Sequence, residues 1–242
     1  MKVHLISGFL GSGKTTAIAA ASKYLIAQGE KVGVVTNDQG KFLIDTQFLR
    51  LENIPTVEVA GGCFCCNYTE FENNLDFLTK TVKPDVIFAE SVGSCADVVA
   101  TVMKPLVDYK LIHETDTSFS VFVDVRMLEK YLLNAELPFQ DGVIYIFEKQ
   151  IEESSFLVLN KSDLFSQERL LNLVEMAKER YPQKLIISQS SLVEDEVVSW
   201  LKIIDTQNTF PKHQLGIDYK TYGNAEQELS WYDAKISATF LG

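Results

Sequence analysis

The feature that most constrains this chain is its glycine-rich stretch ISGFLGSGKTT, residues 6–16. Gly8, four further residues and the triplet GKT at residues 13–15 match the spacing G-x-x-x-x-G-K-[ST], the Walker A motif or P-loop. A short apolar strand pattern precedes the stretch and a helical pattern over residues 17–28 follows it, which is the context the motif requires. The sequence therefore predicts a loop that wraps phosphate groups at the N-terminus of a helix.

The side chains of this loop have distinct expected roles. Lys14 reaches the β- and γ-phosphates and is a candidate catalytic residue, the Thr15 hydroxyl ligates Mg²⁺, and Thr16 faces the α-phosphate. Glycines allow backbone N–H groups to turn towards the phosphate oxygens. The residues expected to bind the nucleotide phosphates are Gly8, Gly11, Ser12, Gly13, Lys14, Thr15 and Thr16.

Strand and helix patterns alternate along most of the 242 residues. This alternation predicts an α/β fold with a doubly wound, mainly parallel sheet and helices on both faces. The net charge of −11 argues against a nucleic acid or an anionic membrane as partner, because no basic cluster offsets it. No apolar run approaches the roughly 20 residues of a membrane span, and no leader segment is visible, so we expect a cytoplasmic protein.

Two carboxylates follow predicted strands at the edge where parallel sheets bind ligands. Asp38 lies in the loop NDQG after the strand pattern of residues 31–36, and Glu90 ends the strand pattern of residues 85–90 before Gly93. Either carboxylate could hold Mg²⁺ through water or position the attacking water, so both are candidate catalytic residues. A plain Asx turn remains an alternative for Asp38.

Three of the four cysteines fall within four residues, directly after a Gly-Gly pair. A disulfide framework would spread them along the chain, so Cys63, Cys65 and Cys66 predict metal or redox chemistry. Three thiolates suit zinc or another borderline-soft ion, and a fourth ligand could be Asp38, Cys95, water or a side chain of a target protein. Cys95 could equally be a buried core thiol.

The strand pattern of residues 155–159 ends in the sequence NKSD. NKxD is the guanine-recognition sequence of P-loop GTPases, in which the carboxylate of Asp163 accepts two N–H donors that adenine lacks. Asn160 and Lys161 complete the motif, and the segment from Ser188 to Ser190 marks the place of a second loop that contacts the base. Together these residues predict guanine nucleotides as ligands.

The end of the chain differs in character from the rest. Residues 1–208 form the predicted P-loop domain, and residues 209–242 form a β-rich tail or the first strands of a second domain. The aromatic and β-branched residues behind this prediction are Tyr219, Tyr222, Trp231, Tyr232 and Ile236.

The motifs GFLGSGKTT, GGCFCC, ESVG and NKSD, in this order, resemble those of the CobW-type metal-handling GTPases, relatives of the nickel-insertion GTPases UreG and HypB. The resemblance covers roughly residues 2–205, and GGCxCC is its most diagnostic motif. It implies a GTP-hydrolysing metallochaperone that delivers a divalent metal, commonly zinc or cobalt, to a metal-dependent target protein. GTP, Mg²⁺ and Zn²⁺ or Co²⁺ are the implied cofactors and cargo.

Carried over motif by motif, the resemblance assigns Glu90 and Gly93 to an E-x-x-G switch and the three clustered cysteines to the metal. Residues 37–40 stand where many relatives have N-E-F-G, so Asp38 keeps the carboxylate on a shorter side chain. Members usually continue into a C-terminal domain, often after a His-rich stretch, whereas this sequence has three histidines.

Two alternatives follow from the same residues: a P-loop scaffold or carrier protein with a cysteine-bound iron–sulfur site, and a nucleotide-gated metal sensor. For the GTPase we expect slow hydrolysis by the isolated chain, because no arginine can be assigned to the transition state from sequence. A partner or a second copy in a nucleotide-dependent homodimer could supply that charge.

Overall fold

Seven strands form one sheet in the computed structural model, which describes residues 1–37, 43–60, 62–207, 210–211 and 215–229. The strands are β1 (Lys2–Gly8), β2 (Val32–Asn37), β3 (Thr56–Val59), β4 (Val86–Glu90), β5 (Thr117–Asp124), β6 (Phe156–Asn160) and β7 (Leu185–Gln189). Their order across the sheet is β3-β2-β4-β1-β5-β6-β7, and every neighbouring pair is parallel.

Helices connect the strands. They are α1 (Lys14–Ala27), α2 (Ile44–Leu51), α3 (Tyr68–Thr81), α4 (Lys104–Asp108), α5 (Val125–Leu132), α6 (Asp141–Glu153), α7 (Gln167–Arg180), α8 (Glu194–Thr206) and α9 (Tyr219–Glu228). Side chains cap several of them: Ser166 accepts the Arg169 N–H at the start of α7, and Asp124 accepts the Arg126 N–H at the start of α5. Such caps satisfy backbone donors that have no partner inside the helix.

Apolar residues on both faces of the sheet bury it between two layers of helices. Alternate strand residues point to opposite faces, so Val121 and Val123 belong to one apolar cluster and Phe122 to the other. The first cluster includes Phe147 of α6, and the second includes Trp200 of α8, whose ring lies 5.2 Å from that of Phe122. Helices on both faces of a parallel sheet confirm the predicted doubly wound fold.

All seven strands point the same way, so their carboxyl ends lie along one edge. The P-loop follows β1, the cysteine motif follows β3, Glu90 ends β4, and the NKSD motif follows β6. Ligands bind at this edge in open parallel sheets, and the fold therefore brings most of the candidate residues to one side of the molecule.

Two segments differ from the sequence-based expectation. Residues 219–228 were predicted to be β-rich but form α9, because the Asp218 carboxylate caps the helix and Ala225 packs against Gly142 of α6. This packing overrides the β-propensity of the tyrosines. A π-helical turn, Val99–Met103, and α4 were not predicted. Trp231, Tyr232 and Ile236 lie outside the described residues, and the domain boundary near residue 208 stays a prediction.

Candidate functional site: a nucleotide cavity beside a cysteine loop

The P-loop encloses one side of a cavity of about 470 Å³. Gly13, the N-cap of α1, has a φ of 90°, in the left-handed region that favours glycine. Gly8 is equally constrained, since a Cβ there would lie 2.1 Å from the Phe122 carbonyl oxygen. The buried Lys14 ammonium donates to the Gly8 carbonyl at 2.9 Å, which bends its side chain back over the loop. Lys14 and Thr15 both line the cavity, as the motif requires.

Three side-chain oxygens meet beside the P-loop. Thr15 Oγ1 lies 2.8 Å from Glu90 Oε1 and 3.0 Å from Asp45 Oδ1. A hydroxyl with two carboxylates is the oxygen-rich donor set that Mg²⁺ prefers, so these residues fit the predicted magnesium ion. Sequence reasoning missed Asp45, which lies in the first turn of α2 rather than after a strand. Asp38, its predicted counterpart, lies outside the described residues.

The loop after Glu90 packs directly against the P-loop. Ser91 N–H donates to the Ile6 carbonyl, and Ser91 Oγ donates to Ser7 Oγ, both at 2.9 Å. A Cβ on Gly93 would lie 2.6 Å from a methyl carbon of Leu10 and 3.0 Å from the Leu10 backbone nitrogen, so a larger residue there would require Leu10 to shift. Any movement of residues 91–93 must therefore be accommodated by the P-loop.

A second cavity of about 330 Å³ lies at the end of β6. It shares three lining residues with the first cavity: Gly13, Thr16 and Lys161. The buried Asn160 amide fixes its floor by donating to the Ser12 carbonyl at 2.7 Å and accepting from Ser191. Asp163 is exposed and lines this cavity. The arrangement can take a base whose phosphates occupy the first cavity.

The second base-contacting loop was predicted at residues 188–190, and the structure places only Ser190 of these residues against the cavity. Ser188 lies inside β7 and is exposed, whereas Ser190, Ser191 and Leu192 line the cavity. The strand continues to Gln189, two residues beyond the predicted end, so the loop begins later than the hydrophobic pattern indicates.

Asp124 ties the base cavity to the P-loop. Its carboxylate accepts from Arg126 at 2.6 Å and from Lys161 at 3.0 Å, and Lys161 also donates to the Gly11 carbonyl at 2.6 Å. Burial raises the pKa of Asp124, but the hydrogen bonds from Arg126 and Lys161 outweigh it and lower the pKa to about 2. Asp124 is therefore ionised at neutral pH and holds Lys161 over the loop.

We expect Asp124→Asn to reduce the free energy of unfolding at pH 7 by about 1–2 kcal/mol. The carboxylate has a lower pKa in the folded protein than the ordinary 3.8, so its stabilisation is present above pH 4 and is lost as the pH falls towards 2. Urea unfolding of both proteins between pH 7 and pH 3 should show the difference shrinking. The control Asp76→Asn removes an exposed pair with Lys80 and should cost under about 0.5 kcal/mol. A pH-independent difference for Asp124→Asn would contradict the assignment.

The cysteine loop, residues 62–67, connects β3 to α3. The Cys63 carbonyl accepts N–H donors from Cys66 at 3.0 Å and Asn67 at 2.9 Å, and this turn folds the cysteines together. Cys63 and Cys65 are in disulfide contact, and Cys66 Sγ lies 3.1 Å from Cys63 Sγ and 3.9 Å from Cys65 Sγ. All three sulfur atoms lie within 4.8 Å of one another. Metal binding requires the three thiols to be reduced.

The three sulfur atoms lie close enough together to converge on one ion once they are reduced. Zn–S bonds of about 2.3 Å in a tetrahedron separate sulfur atoms by about 3.8 Å. The Cys65–Cys66 distance of 3.9 Å matches this value, whereas Cys63 lies nearer to both partners, so its side chain must move outward to bind an ion with them. Cys63 is buried, Cys65 is half-buried and Cys66 is exposed, so the site opens to solvent on one side. This arrangement leaves a fourth position for an exchangeable ligand.

Cys95 is not part of this cluster in the described part of the chain. Its side chain is 1% exposed, and burial raises the pKa of its thiol far above the ordinary value. The Gln150 amide donates to the Cys95 and Gly93 carbonyls and fixes the loop around it. A thiol that stays protonated is a poor metal ligand, which favours the core-residue interpretation of Cys95.

Comparison with known proteins agrees with the geometry. The chain is 29% identical over 231 residues to zinc-regulated GTPase metalloprotein activator 1 of Dictyostelium discoideum, covering 80% of this chain and 46% of that protein. It is 31% identical over 174 residues to the zinc chaperone YeiR of Escherichia coli, covering 67% and 47%. The chain thus spans about half the length of these relatives.

Solved structures show the same fold at low sequence identity. HypB from Helicobacter pylori, in complex with nickel, superposes with a TM-score of 0.57 at 15% identity and covers 97% of this chain and 92% of that one. No helix in the described ranges is long and apolar enough to cross a membrane. A family model, CobW/HypB/UreG nucleotide-binding domain, matches residues 2–189. This match covers well over half of the chain, which therefore belongs to the CobW/HypB/UreG family of P-loop nucleotide-binding proteins.

Proposed function

We propose that this chain is a GTP-hydrolysing metallochaperone that holds a divalent transition metal, zinc or cobalt, and delivers it to a target protein. The observation that carries the proposal is the cluster of three sulfur atoms within 4.8 Å of one another at the same sheet edge as the P-loop cavity. The names of the relatives, a zinc-regulated GTPase metalloprotein activator and a zinc chaperone, support the same activity.

The proposed binding of a guanine nucleotide is based on the two cavities. Lys14 binds the β- and γ-phosphates, Asp163 accepts the guanine N–H donors, and Thr16 lies between them beside the α-phosphate. Mg²⁺, when bound, neutralises charge on the phosphates, and Thr15, Asp45 and Glu90 are the residues that would hold it. Glu90 and Gly93 respond to the γ-phosphate as a switch, as loops that contact this group do in other GTPases.

The proposed metal transfer depends on a ligand position that can exchange. Three thiolates leave one ligand position open, and a site of this kind can pass its ion to a target by ligand exchange. The target protein, a nucleotide-dependent homodimer and a cytoplasmic location remain proposals, since the relatives are about twice as long as the matched part of this chain.

A competitive zinc titration tests the proposal. The reduced protein is titrated against a chromophoric chelator without nucleotide, with Mg²⁺–GDP, and with Mg²⁺ and a non-hydrolysable GTP analogue. We expect zinc to bind at least tenfold more tightly with the analogue than with GDP, about 1.4 kcal/mol of coupling. Coupling is reciprocal, so zinc should tighten binding of the analogue by the same factor.

Equal zinc affinities in the three states would contradict the nucleotide switch and favour a scaffold. GTP turnover measured with and without zinc separates the remaining alternative: coupling without turnover would indicate a nucleotide-gated metal sensor. A visible absorbance band after anaerobic reconstitution with iron and sulfide, in place of zinc binding, would indicate an iron–sulfur carrier.

A further inference from the structure

Asn37 joins the two halves of the site. It is the last residue of β2, at the carboxyl edge of the sheet, and only 5% of it is exposed. It lines the nucleotide cavity together with Lys14, Thr15 and Glu90. Its side-chain amide makes three hydrogen bonds to backbone atoms of β3 and the cysteine loop.

These bonds hold the cysteine loop on both sides of Cys63. Asn37 Nδ2 donates to the Gly62 carbonyl at 2.6 Å and to the Val59 carbonyl at 3.1 Å. Asn37 Oδ1 accepts the N–H of Phe64 at 2.8 Å. The Cys63 carbonyl in turn accepts the N–H of Cys66, so the position of Cys66 depends on that of Cys63. Asn37 therefore fixes the backbone on both sides of Cys63, although it contributes no sulfur.

An asparagine is well suited to this position. Its amide offers donors and an acceptor at once, and here Nδ2 meets two carbonyls while Oδ1 meets an N–H. Aspartate would place a carboxylate oxygen against two carbonyl oxygens, and alanine would leave all three backbone groups without this partner. Buried polar groups that lose a hydrogen bond are costly, so either change would displace the loop.

We propose that Asn37 is the positioning residue that couples the nucleotide cavity to the metal site. A shift of the carboxyl end of β2 when the nucleotide changes moves the Asn37 amide, and with it the backbone on both sides of Cys63. The inference rests on the proposed metallochaperone function and names the residue through which nucleotide and metal affinities are linked.

The test repeats the zinc titration on reduced Asn37→Ala in the GDP and GTP-analogue states. We expect zinc affinity to fall about 10- to 100-fold, the effect of losing a residue that orients metal ligands. We also expect the affinity ratio between the two nucleotide states to collapse to within about twofold. A residue with a merely structural role would weaken both states equally and leave the ratio intact, and that result would overturn the proposal.

Asn74→Ala is the matched control. Asn74 lies on α3, and its Nδ2 donates to the Glu58 carbonyl of β3 at 2.8 Å. The change therefore removes an asparagine amide that also bonds to β3, without touching the cysteine loop. Its zinc affinities and their ratio should match those of the unchanged protein. Loss of the ratio in Asn74→Ala as well would overturn the specific role of Asn37.

A second variant and a measurement without substitution keep the test independent of folding. Asn37→Asp retains the acceptor for Phe64 N–H but not the donors. We expect its zinc affinities in the two nucleotide states also to become equal within about twofold. In the unchanged protein, the Phe64 amide should exchange with deuterium at different rates in the GDP and GTP-analogue states, in the absence of zinc. Equal exchange rates at Phe64 would overturn the link.

The failure of this inference can be distinguished from the failure of the proposed function. If the unchanged protein shows no nucleotide dependence of zinc affinity, the proposed function fails. If the unchanged protein shows that dependence and Asn37→Ala retains it, only the role of Asn37 is overturned.

Discussion

Gly13→Ala should weaken binding of Mg²⁺–GDP at least 100-fold, about 2.7 kcal/mol. An alanine Cβ would lie 2.4 Å from Asn160 Nδ2. The Asn160 side chain cannot retreat easily, because it donates to the Ser12 carbonyl and accepts from both Ser191 N–H and Ser191 Oγ. The added methyl group therefore disturbs the P-loop and the base cavity together. Isothermal titration of both proteins measures the effect.

Gly29→Ala separates the steric effect from backbone strain. Gly13 and Gly29 both have a φ of +90°, but a Cβ on Gly29 meets no atom within 4 Å. The control should lose about 1–2 kcal/mol of stability from the left-handed backbone and keep the GDP affinity of the unchanged protein. Equal GDP affinities of Gly13→Ala and Gly29→Ala would contradict the inference that Asn160 packs too closely against Gly13 to admit a methyl group.

Replacing Cys63, Cys65 and Cys66 together with serine should lower zinc affinity at least 1,000-fold, about 4 kcal/mol. The three thiolates supply most of the soft donor set, and serine hydroxyls do not replace them at neutral pH. The measurement is the chelator competition with reduced protein. Cobalt(II) bound by the unchanged protein should in addition show thiolate-to-metal charge-transfer bands that the triple variant lacks.

Cys95→Ala is the control for the cysteine cluster. The Cys95 thiol is buried with a raised pKa, outside the group of three sulfur atoms. We therefore expect zinc affinity and the cobalt spectrum to be unchanged, with some loss of stability from the smaller side chain. A loss of zinc affinity as large as that of the triple variant would show that Cys95 supplies the fourth ligand.

Sequence patterns predicted those parts of the site that depend on local spacing. The P-loop, the NKSD motif and the cysteine cluster each occupy a short stretch whose chemistry can be read without knowing the fold. The strand before NKSD and the strand that ends at Glu90 are continuous apolar runs, which are typical of parallel strands buried on both faces, and they predicted a parallel sheet with its loops on one edge.

The residues that sequence reasoning missed act across the chain. Asp45 reaches Thr15 from the first turn of a helix 30 residues away, and Asn37 bonds to Phe64 across the edge of the sheet. Asp45 belongs to no motif with a recognisable spacing, and Asn37 is the first residue of NDQG, in which only the carboxylate of Asp38 was given a role. Helix α9 was missed because its tyrosines favour strands in isolation, while packing against α6 determines the observed structure.

Helix α9 has a consequence for where this protein can be cut. The family match ends at residue 189, yet the Tyr222 hydroxyl donates to the Ser94 carbonyl, and Ala225 packs against Gly142. A fragment ending near residue 208 would expose this face of α6 and the loop that surrounds Cys95. A fragment that keeps these buried surfaces covered against proteases and self-association must therefore include α9.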